Sequence, residues 1–243
     1  MHSGDPKGQL TEENRGDRPC LNCHTEYQGS EATARHTMHK PDSPGSRCYN
    51  CHMPRVVYGV MSVHPTHQIT VPSPAATASA SVPNACNQCH LDKSVNWAIA
   101  ESKRLWPVRY QSAYKSADDQ FDLPEGPRAL FAGDALTRAL AAEAIGGGGP
   151  IAPDKKWAAP FLVEALSDSY PIVRFFAADG LATMSATMNP NLPKPDYLTQ
   201  STERQTSIDR WRAWLNSADR QRAIAFVEYL KPKRRELDVE VGE

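Results

Sequence analysis

The chain has 243 residues, 40% of them hydrophobic and 23% charged, with a net charge of −1 at pH 7. That length allows one or two domains, and the charge balance gives no bulk basic character that would argue for a nucleic-acid partner. No run approaches the roughly 18 apolar residues of a membrane span, and residues 1–11 are polar, without the apolar stretch of a secretory signal.

Residues 1–92 are poor in long apolar periodicity and rich in Pro, Ser, Gly and Thr. Such a segment does not build an ordinary core. It carries instead one five-residue pattern three times: Cys20-Leu21-Asn22-Cys23-His24, Cys48-Tyr49-Asn50-Cys51-His52 and Cys86-Asn87-Gln88-Cys89-His90. C-x-x-C-H is the attachment signature of a c-type haem. The two thiols add to the haem vinyl groups, and the histidine becomes the proximal iron ligand. All six cysteines, Cys20, Cys23, Cys48, Cys51, Cys86 and Cys89, fall inside the three motifs. A Cys₄ zinc site would use two pairs and strand the third. A redox C-x-x-C needs a strand-to-helix setting. Neither explains a histidine after every second cysteine. The expected cofactors are therefore three haem c groups, with His24, His52 and His90 proximal.

The other five histidines, His2, His36, His39, His64 and His67, all precede His90. Their crowding among the motifs fits the need for sixth iron ligands. The haems are expected to form the core of this half, so that the haem-free chain is largely unfolded. The low-complexity stretch 71–83 (VPSPAATASASVP) reads as an exposed loop spacing the second motif from the third.

A helix is predicted over 94–115, with Ser94 as N-cap and a stop or kink at Pro107. Residues 118–127 read as a linker. From Arg128 the period is helical: Leu130, Leu136, Leu140, Ala144 and Ile145 mark one amphipathic helix, stopped by the glycines 146–149 and Pro150. A second helix over 156–167 buries Phe161, Leu162, Ala165 and Leu166. The next, capped by Asp168 or Ser169 with Pro171 in its first turn, buries Val173, Phe176, Ala177 and Leu181. After a proline-rich loop at 189–195 come helices over 202–215, with Trp211 and Trp214, and over 218–230, with Ile224, Phe226 and Val227. Residues 231–243 are charged and expected to fray. The stretch WAAPFLVEALSDSYPIVRFFAADGLATM resembles a HEAT repeat, and RALFAGDALTRALAAEAI a degenerate neighbour. The expected fold is mainly α with little or no β. A loop-rich triple-haem domain at 1–117 precedes an α-helical HEAT-like domain at 128–243.

Residues 36–97 resemble the C-terminal haem region of the pentahaem cytochrome c nitrite reductases and related multihaem cytochromes. The likeness rests on HTMHKPDSPGSRCYNCHMP, then VHPTHQITVPSP, then NACNQCHLDKSVNWA. The reductases bind substrate at a C-x-x-C-K haem. No such motif occurs here, so the resemblance implies relay haems without the catalytic one. By its order His67 serves the first haem, His39 the third, and an upstream histidine, His2, the middle one. His36 and His64 are held in reserve. His36 and His39 would share a face of a continuous helix, so either could serve. Met38 and Met61 are weak candidates, and Met53 directly follows a proximal histidine.

Two functions follow as expectations. The first is an electron carrier of low-potential, bis-histidine haems, relaying electrons between other redox proteins in a bacterial, anaerobic respiratory chain. It would act alone or as a subunit or fragment of a larger multihaem complex. The second is an oxidoreductase with one open iron, the middle one, acting on a small nitrogen, sulfur or oxygen species. A haem sensor or structural module ranks third. Covalent haem implies a periplasmic or extracellular site. It also implies that the N-terminus as it stands, lacking a signal, is processed, re-engineered or truncated.

Overall fold

The computed structural model describes residues 11, 14, 16–59, 61–80, 82–111, 115–151, 153–192 and 194–234. The chain is mainly helical with one small sheet. The first half holds short elements. They are α1 (Arg18–Leu21), α2 (Ser30–Thr37), α3 (Cys48–His52), the strands β1 (Arg55–Tyr58) and β2 (Ser62–Pro65), and α4 (Pro74–Ala80). Then come α5 (Val95–Leu105), α6 (Pro107–Tyr110), α7 (Glu125–Ala132), α8 (Ala135–Glu143) and α9 (Lys155–Ala165). Last are α10 (Pro171–Met188), α11 (Ser201–Trp214) and α12 (Ser217–Leu230). Among the described residues no helix is long and apolar enough to cross a membrane.

The β-hairpin is antiparallel, with Val56 opposite His64 and Val57 opposite Val63. Its signal in the sequence is the β-branched pair Val56-Val57 before Gly59, whose φ of 63° opens the turn. Within the stretch 71–83, residues 74–80 are not the exposed loop its composition suggested. Pro74 starts a helix that its alanines favour, and Ala75 and Ala78 pack against Val95, Ile99 and Phe121. The predicted helix over 94–115 is interrupted at Trp106-Pro107, where Pro107 was expected to stop or kink it, and forms α5 and α6. Ser94 caps α5 by accepting a hydrogen bond from Trp97 N at 3.0 Å.

Two further expectations are corrected. The 118–127 linker contains the buried Phe121 and the start of α7 at Glu125. The single helix predicted through Leu130, Leu136, Leu140 and Ile145 is two helices, because Asp134 Oδ1 accepts from Thr137 N at 2.8 Å and starts α8 afresh. That reset turns Leu136 outward, 49% exposed. After α8 the chain widens into a looser turn, Ala144–Gly148. There Gly146 meets Gly180 of α10 so closely that a β-carbon on Gly180 would stand 2.6 Å from Gly146 Cα.

The main core joins α7 to α12. It includes Leu130, Ile145, Phe161, Leu162, Val173, Leu181, Trp211 and Leu230. Each such burial contributes about 1.5–3 kcal/mol. Val57 and Val63 of the hairpin pack against this core. Arg55 pairs with Glu143 of α8 at 2.5 Å, with both side chains mostly buried. Among the described residues, Pro74 apart, no hydrophobic side chain before Ala85 is buried.

Candidate haem-binding centre

Each motif is anchored by hydrogen bonds outside itself. Asp17, just before α1, accepts from Cys48 N at 2.8 Å through Oδ1 and so ties the first motif to the second. Gln88, inside the third motif, accepts from Arg55 N and donates to Arg55 O, both at 2.9 Å. Asn84 Oδ1 accepts from Asn87 N at 2.9 Å, and Asn87 Nδ2 donates to His90 O at 3.2 Å, closing the third motif on itself. The three motifs thus converge. Cys20 lies against Cys48, and Cys51 is close enough to Cys86 and Cys89 for their charges to interact.

The thiols of the second and third motifs are pushed up. Burial, then Asp17 and Cys20, pushes Cys48 up to about 12. Burial, then Cys51, pushes Cys86 up to about 12 and Cys89 to about 11. Burial, then Asp17, raises Cys51 as well. A redox-active C-x-x-C needs the opposite, a lowered thiol. The second motif, moreover, is a single turn of helix rather than a strand-to-helix junction.

The histidines fall into pairs. The rings of His36 and His52 have centroids 6.1 Å apart and planes 11° apart. Those of His39 and His90 are 6.2 Å and 30° apart. In each pair the rings stand apart rather than in contact, so the two histidines could hold one iron between them. Two of the rings are also oriented through their other nitrogen. His52 Nδ1–H donates to Thr70 O at 2.8 Å, and His39 Nδ1–H to Thr37 O at 2.6 Å. A carbonyl only accepts, so the proton sits on Nδ1 and Nε2 keeps its lone pair for a metal. Burial, then the facing histidine, lowers the pKa of His36 (facing His52) and of His90 (facing His39), which favours neutral imidazoles.

The surroundings suit a large apolar cofactor. Met38, Val56, Tyr58, Met61, Ile69 and Val71 are exposed in the same half of the chain, ahead of the main core. A β-carbon at Gly45 would stand 2.2 Å from Cδ2 of His39, so this glycine makes room for the ring. Trp97 of α5 lies 5.1 Å from His90, centroid to centroid. Among the described residues no three His, Cys, Asp or Glu side chains gather as on a bare metal ion. A porphyrin iron asks the protein for only two ligands, and pairs are what the chain presents. The donor set fits haem c at the second and third motifs.

The remaining candidates lie elsewhere. His24 is 65% exposed, its ring 6.3 Å from that of Tyr27, whose ring in turn lies 4.2 Å from His36. His67 is exposed in the loop after β2, and His64 sits on β2 with its ring 6.4 Å from Tyr58. His2 lies outside the described residues. The pairing of His36 with His52 was missed in the sequence, where His36 stood in reserve. Its signal is conformational: α2 ends at Thr37, and Met38 is left-handed with φ 56°. Compared with protein-family models, curated proteins and solved structures, the chain matches none.

Proposed function

We propose that the protein is a multihaem c-type cytochrome that relays electrons between redox partners. Cys20, Cys23, Cys48, Cys51, Cys86 and Cys89 hold three haems, with His24, His52 and His90 proximal. When bound, each haem would supply a one-electron iron couple, and His36 with His52 and His39 with His90 would hold two of the three. The observation that carries this reading is the pairing of two motif histidines with second histidines, at 6.1 and 6.2 Å between ring centroids. The chain's residues position and insulate. Thr70 and Thr37 carbonyls hold the Nδ1 protons of His52 and His39. Cys20 lies against Cys48, and Cys51 is near enough to Cys86 and Cys89 to act on their charge, so the attachment points would follow one another in chain order. That order suits a relay.

On this reading the α7–α12 half is a HEAT-like scaffold that holds the relay against a partner or within a larger complex. It starts after a triple-haem domain at 1–117. The covalent cofactor places the protein in the periplasm or outside the cell. A second reading, an oxidoreductase with one open iron, moves from the middle haem, where His36 faces His52, to the first motif, where the ring beside His24 is that of Tyr27.

The test is the holo-protein matured in a host with haem-attachment machinery. Intact mass should show three covalent haems, and the dithionite-reduced visible spectrum should not respond to carbon monoxide. A chain of unchanged mass sinks the reading. Three haems with a shift of about one third of the Soret band, one motif in three, favour the open-iron enzyme.

A further inference from the structure

We infer that the run His36-Thr37-Met38-His39 supplies the distal ligands of two different haems, His36 for the middle one and His39 for the third. This rests on the haem reading above. In an uninterrupted helix, residues three apart lie on one face about 5–6 Å apart and would compete for one iron. Here they do not, because α2 stops at Thr37 and Met38 turns left-handed, φ 56° and ψ 26°. A non-glycine residue held in that region is costly and persists only where its surroundings impose it. The impositions are visible. Thr37 is buried, its carbonyl accepts the His39 Nδ1 proton, and Trp106 at the end of α5 donates to His36 O at 2.8 Å. Across that turn His36 faces His52 at 6.1 Å, while His39 faces His90 at 6.2 Å.

The assignment departs from the nitrite-reductase resemblance, which gives the middle haem an upstream histidine. It also has a consequence. Two irons held by four consecutive residues share one backbone segment, so neither can shift its distal side without moving the other. His36 also sits against Tyr27, which lies between it and His24 of the first motif.

The experiment uses the matured holo-protein, with haem counted by intact mass and open iron by the carbon monoxide response of the reduced spectrum. His36→Ala and His39→Ala should each keep three haems and shift about one third of the Soret intensity, and the double variant about two thirds. His64→Ala should shift nothing. In a Cys48→Ala/Cys51→Ala background, which removes the middle haem, His36→Ala should add no reactive iron. Because removal of a ligand can impair maturation, His36→Met provides a second route. It should raise the potential of one haem of three in a redox titration, since thioether ligation raises potential. A silent His36→Ala together with His2→Ala opening the middle iron overturns the assignment, as does His36→Met leaving every potential in place. A wild-type chain with fewer than three haems overturns the underlying haem reading, and this assignment with it.

Discussion

A β-carbon at Gly45 would stand 2.5 Å from Cγ of His39 as well as 2.2 Å from Cδ2. The imidazole therefore lies against backbone that only glycine can present. On the haem reading, Gly45→Ala should push His39 off the third iron while leaving all three haems attached. The expected result is a carbon monoxide response of about one third of the Soret band, with the far-ultraviolet circular dichroism unchanged. An unresponsive variant would mean that the ring moves without leaving the iron. The C-x-x-C-H pattern on which the proposed attachment rests was legible at this scale, because it is contiguous and its six cysteines leave no remainder. The pairing of the histidines was only partly legible. Whether His36 or His39 faces His52 or His90 depends on the φ of Met38, and no periodicity reports the sign of one dihedral.

Among the elements, the helices were read best where the apolar phase is clear, whereas the cap expected for α10 at Asp168 or Ser169 is not there: Tyr170 holds that position, without a side-chain cap. Asp154 accepts from Trp157 N and starts α9, and Phe161, Leu162, Ala165 and Leu166 are buried as their spacing requires. The misreadings lie where a local polar contact outweighs the pattern. Asp134 splits α7 from α8, and the alanines of 74–80 form α4 only because α5 offers them a surface. Arg138 of α8 shows what holds the elements in register. It is fully buried, donates to Asp168 at 2.9 Å just before α10, and shares that carboxylate with Arg234 at 3.1 Å. Arg138→Leu should cost about 3 kcal/mol in urea unfolding, since breaking a buried pair leaves a charge with less compensation. A loss under about 1 kcal/mol would mean that Arg234 alone satisfies Asp168.

Over the whole molecule, apolar burial is lopsided. The core runs from Leu91 to Leu230, and the described residues before Ala85 add no buried hydrophobic side chain to it. A chain segment ordered around a cofactor should lose that order without it. In haem-free protein, hydrogen exchange should be fast across residues 16–80 and remain slow in α8, α9 and α10. Strong protection of the first half without haem would count against a haem-built core. By itself the sequence determined the mainly helical class, the C-x-x-C-H spacing and the Ser94 cap, because each depends on residues adjacent or one turn apart. The tertiary structure alone decided which histidines face each other, that the three motifs converge, and that Arg55 and Gln88 lock the hairpin between the third motif and α8. Those contacts join residues tens of positions apart, and their energy depends on burial and orientation, which no local pattern encodes.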